Sequence, residues 1–261
     1  MEKSQQPPLT VSQGFQQYFR VRFADTQALR HQAFKIRHNV YCEELAWEPL
    51  RKDSLETDSY DDYSYHVVLQ HLASKNFAGS VRIIIPSPHK NNDVTPFESY
   101  CLSSINDDLF DIDDYAKGTF GEVSRIAVPT SFRRRPKEAD HPYIITQTSN
   151  SHVFTEEERR QFPNIAIGLY LSALALAEIC QHQAMFVMVE PRLSRHLIRV
   201  GLPFEQIGDV IEYHGKRALF RLSSQNFSSS LAPEVKDLYD IIIADLRQQM
   251  TLLPYCDPTD K

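Results

Sequence analysis

The chain has 261 residues and a formal net charge of −6, with 42% hydrophobic and 24% charged residues. That is room for one large domain or two small ones, and the acidic balance argues against general affinity for nucleic acid or an anionic membrane. Cys42, Cys101, Cys180 and Cys256 show no CxxC spacing, and no histidine pair has metal-ligand spacing, so no metal is expected.

Met1–Thr10 is polar and carries Pro7-Pro8, so residues 1–14 read as a disordered or extended tail and not as a signal peptide; the expected compartment is the cytoplasm. Asp25 then caps a helix running to about Tyr41. Leu29, Ala33, Ile36 and Val40 recur on one face of it, and Arg30, Phe34, Arg37 and Tyr41 form a second stripe. The following loop holds Trp47 and the acidic cluster Glu56-Thr57-Asp58-Ser59-Tyr60-Asp61. Tyr65–Leu72 and Val81–Pro86 read as an antiparallel hairpin turning around Asn76–Gly79. Asn91–Asp114 is polar and reads as irregular chain.

Phe120–Val128 is the next expected strand, and the proline- and charge-rich stretch at about 129–162 reads as an insertion. Ile165–Cys180 reads as an apolar helix, interrupted by Gly168, Ser172 and Glu178 and too short to span a bilayer. Met185–Glu190 reads as a buried strand. Strand, helix and strand in that order predict a parallel pair with a right-handed crossover. Pro191 opens a helix that Gly201 closes. Phe204–Ile211 and Ala218–Leu222 supply two last strands, and Pro233–Leu252 a final helix with Val235, Leu238, Ile242 and Leu246 inward. The whole reads as one α/β domain over residues 15–225 with a mixed sheet flanked by helices. A C-terminal amphipathic helix and tail occupy 226–261.

Charge beside buried strand is costly unless paired or used, which singles out Glu122-Val123-Ser124-Arg125. In a regular strand Glu122 and Ser124 share one face and Arg125 lies on the other. Arg82, in the apolar run Val81–Ile85, requires a carboxylate: Glu122, Asp58, Asp61, or one on a substrate gripped in a bidentate fork. The acidic cluster either receives a substrate amine or locks the first helix through Arg37. It lacks the glycine and downstream glutamate of a calcium loop. Arg133, Arg134 and Arg135, together with Arg192, Arg195 and Arg199 at helical spacing, form either a docking surface or ordinary solvated faces.

Taken in order, Arg37 and Trp47, Glu56-x-Asp58-x-Tyr60-Asp61, Gly79-Ser80-Val81-Arg82 and Glu122-Val123-Ser124-Arg125 resemble the GNAT acyltransferase superfamily. Within it they resemble the acyl-homoserine-lactone (autoinducer) synthases and long-chain N-acyl amino acid synthases. Glu158 to Pro163, Val189-Glu190-Pro191-Arg192-Leu193 and Tyr213-His214-Gly215 are most similar to acyltransferases found beside PEP-CTERM/exosortase systems.

The resemblance implies a GNAT-like fold and amide formation without a covalent intermediate. It implies an acyl-phosphopantetheine co-substrate, on acyl carrier protein or coenzyme A, an amine acceptor and no bound cofactor. Glu122, Arg82, Ser124 and Arg125 would be catalytic, with Glu122 taking the amine's proton. Arg37, Trp47, Glu56, Asp58 and Asp61 would bind substrate, and the two arginine groups would meet the carrier. Pro129–Asp140 lacks the glycine-rich pyrophosphate loop of coenzyme A-using members, which favours the carrier protein. Ala166, Leu169, Leu171, Leu174, Ala175 and Leu176 are either the wall of an acyl tunnel or core. Two alternatives stand beside amino-acid acylation. One is a signal synthase using S-adenosylmethionine; the other is a non-catalytic GNAT-like sensor or scaffold.

Overall fold

The computed structural model describes residues 9–90, 92–105, 111–133, 154–199, 201–202, 204–213, 215–223 and 227–250. The expected tail ends earlier than residue 14. Thr10 caps helix α1 (Val11–Tyr18) in a capping box with Gln13, and Phe15 is buried 5.7 Å from Phe19. Strand β1 (Phe19–Phe23) follows, with Phe19, Val21 and Phe23 inward at period two. It had no counterpart among the expected elements.

Helix α2 (Gln27–Arg37) is capped by Thr26, whose side chain accepts from Leu29 N–H, and not by Asp25. It widens into a π-helical stretch, His38–Glu44, a distortion common at functional sites. Ala33, Ile36 and Val40 pack on Val68 and Ala127, as their spacing predicted. The hairpin is β2 (Ser64–His71) with β3 (Phe77–Ile84), and β3 continues antiparallel to β4 (Phe120–Ala127). The segment between β3 and β4 is less irregular than expected: Thr95 caps a short helix, α3 (Pro96–Tyr100), with Glu98 closing the capping box.

After α4 (Glu156–Arg160), α5 (Pro163–Ile179) crosses to β5 (Ala184–Val189), which pairs parallel with β4 as the strand–helix–strand order predicted. Helix α6 (Pro191–Arg199) leads to β6 (Glu205–Gln206) and β7 (Ile211–Glu212), then β8 (Lys216–Ser223), α7 (Phe227–Ser230) and α8 (Pro233–Met250). The single strand expected over Phe204–Ile211 is thus two short pieces. Gly208, bridged to Ile105, and Asp209, bonded to the Ser104 carbonyl, pull the chain out of the β8 ladder between them.

The sheet runs β1-β2-β3-β4-β5-β8-β6, with β7 on β8. Helices α1, α5 and α8 cover one face. Residues Gly168 to Ala177 of α5 are all buried, so an apolar helix is what this position demands. Among the described residues no helix is long and apolar enough to cross a membrane. Val235, Leu238, Ile242 and Leu246 of α8 point inward as expected. On the opposite face, Phe97 packs 4.7 Å from Phe186, in one cluster with Phe120 and Ile207.

Candidate functional site

The parallel ladder between β4 and β5 stops at Val123 and Val187, although β4 runs on to Ala127 and β5 to Val189. Each strand beyond that point stays paired on its outer side, β4 with β3 and β5 with β8. The two inner edges therefore separate into a wedge. A bulge in β4 sharpens it: Arg82 faces Ser124 and Ser80 faces Ala127, so three steps on β4 match two on β3. Arg125 takes the extra step, with φ of 49°.

That bulge overturns one expectation. Strict alternation would carry Arg125 away from Ser124; the left-handed turn instead brings it onto the acidic cluster. Its guanidinium reaches Glu48 Oε1 at 3.0 Å, Glu56 Oε1 at 3.2 Å and Asp58 Oδ2 at 3.3 Å, and lies 5.5 Å from the Tyr41 ring centre. Arg82 is met by Asp58 at 2.5 Å and Asp61 at 2.9 Å, while its Nε donates to Ser124 Oγ at 2.9 Å. Arg37 donates to Glu56 and grips Asp61 through both terminal nitrogens, at 2.6 and 3.0 Å.

Asp58 opens the turn that carries the cluster: its carboxylate accepts from Tyr60 N–H, and Asp61 accepts from Asp58 N–H. Four carboxylates (Glu48, Glu56, Asp58, Asp61) thus meet three guanidinium groups (Arg37, Arg82, Arg125), leaving one net negative charge. The Arg37 guanidinium, followed by that of Arg82, holds the Asp61 carboxyl far below its ordinary range against the opposing effect of burial. Among the described residues no group of three potential ligands is placed to hold a metal ion; the acids of this cluster hold arginines.

Glu122 is different. It forms no ion pair with Arg82 or Arg125, the two partners a plain edge-strand salt bridge would have used. Only 3% of it is exposed, and Oε2 accepts a 2.9 Å hydrogen bond from Phe97 N–H, inside the first turn of α3. Burial pushes its carboxyl up to about 8, with the Phe97 donor pulling the other way. Nothing in the Asn91–Asp114 pattern pointed to Phe97 as that partner. The Thr95-Pro96-x-Glu98 start signal was nevertheless there.

A cavity of about 690 Å³ opens from the wedge. All four expected catalytic residues, Arg82, Glu122, Ser124 and Arg125, line it. Of the expected substrate-binding residues only Trp47 and Asp58 do. Arg37, Glu56 and Asp61 stand behind the wall and hold it in place, so their contact is with the wall and not with the cavity.

Trp47 stacks on Tyr41 at 5.9 Å, and Tyr41 donates to the Ile126 carbonyl at 2.8 Å. Across the cavity Ala166, Tyr170, Val187 and Val189 give an apolar side. Of the six α5 residues considered for a tunnel, Leu169, Leu171, Leu174, Ala175 and Leu176 are core and only Ala166 reaches the cavity. Cys101 also lines it, but burial pushes its thiol up to about 11, away from nucleophilic thiolate.

The basic groups divide. Arg133 stands at the cavity edge and is paired with Glu44; Arg134 and Arg135 lie outside the described residues, as does His214. Arg192, Arg195 and Arg199 are exposed on α6 and form no ion pair among the described residues. On the same helix Leu193 is 39% exposed and lines the cavity, because α6 presents only Ser194 and Leu197 to the core.

Residues 36–139 match the family model described as acetyltransferase (GNAT) domain. Among solved structures, the chain is similar to TofI in a ternary complex with an inhibitor and MTA: TM-score 0.55, 15% identity, 83% of this chain and 98% of that one. It is similar to BjaI, a CoA-dependent acyl-homoserine lactone synthase solved with SAM and isopentyl-CoA: TM-score 0.54, 14% identity, 87% and 89%. It is also similar to FeeM, an N-acyl amino acid synthase from uncultured soil microbes: TM-score 0.53, 14% identity, 82% and 94%. A search of curated proteins gives no match. The fold is GNAT-like.

Proposed function

We propose that this chain is an N-acyltransferase of GNAT type. It moves a fatty acyl group from a phosphopantetheine thioester, on acyl carrier protein or coenzyme A, to the amine of an amino acid or related small molecule. The observation that carries this reading is Glu122, buried, without an arginine ion pair among the described residues and raised to about 8, beside a wedge between two strands. The pantetheine arm lies along the free strand edge as an added strand, and an N–H of the β4 edge polarises the thioester carbonyl. The acyl chain runs toward the apolar side at Tyr170 and Val187.

The acceptor arrives as an ammonium ion, drawn by the acidic excess around Asp58. Glu122, as carboxylate, takes one proton directly or through a water, freeing the lone pair. Nitrogen then attacks the carbonyl carbon: the C–N bond forms, the C–S bond breaks, and the nitrogen's second proton ends on the departing thiol. No enzyme-bound acyl group is formed.

Arg82, Ser124 and Arg125 frame the acceptor side, with Arg37, Glu56 and Asp61 holding that frame. Arg133 to Arg135 and Arg192, Arg195 and Arg199 meet the carrier's acidic surface, which acts mainly on encounter rate. Glu190, Leu193 and Tyr213, from the segments that resemble PEP-CTERM/exosortase-associated acyltransferases, line the cavity and support placing the chain in that subgroup.

The test is thiol release from decanoyl carrier protein with a panel of amines, together with product mass. Glu122→Gln should lower turnover by about 10²- to 10⁴-fold with donor binding unchanged; unaltered turnover removes Glu122 from the mechanism. A free N-acyl amino acid supports the reading. A lactone with methylthioadenosine points to a signal synthase instead, and donor binding without thiol release points to a sensor.

A further inference from the structure

Arg217 lies near the start of β8 and lines the same cavity. Its guanidinium lies 5.2 Å from the centre of the Trp47 ring. The other arginines of the cavity already hold carboxylates: Arg82 those of Asp58 and Asp61, Arg125 that of Glu48, Arg133 that of Glu44. Arg217 has no carboxylate among the described residues, and its Nε is shut off from solvent with no hydrogen-bond partner.

A guanidinium held over an indole gains from the ring's negative face, and its planar fork of N–H groups matches the two oxygens of a carboxylate. A buried donor of this kind gains most from a ligand that fills it. The sequence made Arg82 the candidate for gripping a substrate carboxylate, but its Nε is taken by Ser124 and its Nη1 by Asp58 and Asp61, so no pair of its nitrogens is left as a fork. The arginine of the cavity without a carboxylate among the described residues is Arg217, over Trp47.

We propose that Arg217, seated on Trp47, binds the carboxylate of the acceptor, so that the acceptor class is α-amino acids. This rests on the acyltransferase reading and names its substrate. The two ends of a zwitterion then meet complementary groups: ammonium toward the acidic excess at Asp58 and the Glu122 base, carboxylate into the Arg217 fork. Amines without a carboxylate lose one of these anchors.

Trp47 is the chain's one tryptophan, so its emission reports this site without any turnover. The full chain is titrated with each common L-amino acid, with the matching carboxamides, and with decanoyl phosphopantetheine. Emission should respond to one or more amino acids, at least about tenfold more weakly to the carboxamide, and not at all in Arg217→Gln. The same variant should raise acceptor KM about ten- to a hundredfold and leave donor KM unchanged. Arg217→Lys, which keeps the charge but not the fork, should fall between and serves if the glutamine variant does not fold.

Equal response to acid and carboxamide, or a response that both variants leave intact, overturns the assignment. So does a KM change confined to the phosphopantetheine donor, which would make the bound anion its phosphate. A wild-type chain that makes no amide yet keeps the carboxylate-selective emission change retains Arg217's role and rejects the acyltransferase reading.

Discussion

Glu122 must lose its own proton before it can accept one. With its carboxyl at about 8, close to the range of a free α-amino group, transfer between the two is nearly balanced, which suits a general base. The rate of acyl transfer at low acceptor concentration should therefore climb with pH, with a limb centred near 8, and Glu122→Gln should lack that limb. A profile in the wild type that is flat from pH 6.5 to 9 would contradict the assignment.

Stability carries the opposite sign. Between the ordinary glutamate value and about 8 the folded state holds a proton that the unfolded state has released, so this group's contribution falls as pH rises through that window. Residue by residue, the sequence displayed Arg82, Glu122, Ser124 and Arg125 because each interrupts an apolar strand. Arg217 gave no such signal. An arginine near the start of a strand is ordinary, and only the partnering of all its neighbours makes it stand out.

At the scale of elements, the long apolar periods were readable: the crossover through α5 and the inward face of α8 match their patterns, and the hairpin β2–β3 forms, although it turns at 72–76 and Phe77–Gly79, expected in the turn, belong to β3. Short elements were missed where local capping, not hydrophobic period, decides them, as at Thr10 before α1 and Thr95 before α3. The bulge in β4 was invisible for another reason. A single residue turned left-handed leaves no compositional mark when that residue is arginine, and it reversed the expected face of Arg125.

This strained step is testable by substitution. Arg125→Gly and Arg125→Val both remove the ion pairs, but only glycine accepts φ of 49° freely, while a β-branched side chain resists it. The valine variant should be less stable than the glycine variant by about 1–3 kcal/mol, with its thermal midpoint several degrees lower and both variants weak in acyl transfer. Equal midpoints would mean that the bulge relaxes without cost.

Across the molecule, several buried groups stay in the protonation state of neutral pH well into acid. Burial pulls His66 down to about 3 and His182 to about 4, and the Arg37 and Arg82 guanidinium groups hold Asp61 below its ordinary range. For the two histidines the unfolded chain takes up protons first, so their contribution is complete above the ordinary histidine value and is lost as pH falls from there toward 3 to 4. Asp61 adds its loss below the ordinary aspartate value. Glu122 gains what it lost at higher pH over the upper part of that range and offsets one histidine there, so denaturant midpoints should drop most clearly between about pH 6 and 4; a constant midpoint over that range would show these groups titrating alike in both states.

The hydrogen bond from Phe97 has a longer reach. It arrives from α3, a five-residue helix outside the sheet, and it is the strongest influence drawing Glu122 back toward an ordinary acid. In the proposed mechanism the wedge sets where reaction happens, and this remote amide sets how eagerly the carboxyl keeps its hydrogen. A shift of α3 by an ångström, with the strands left untouched, would retune the enzyme toward more alkaline operation. Control of when the protein works is thereby separated from the framework that decides what it works on.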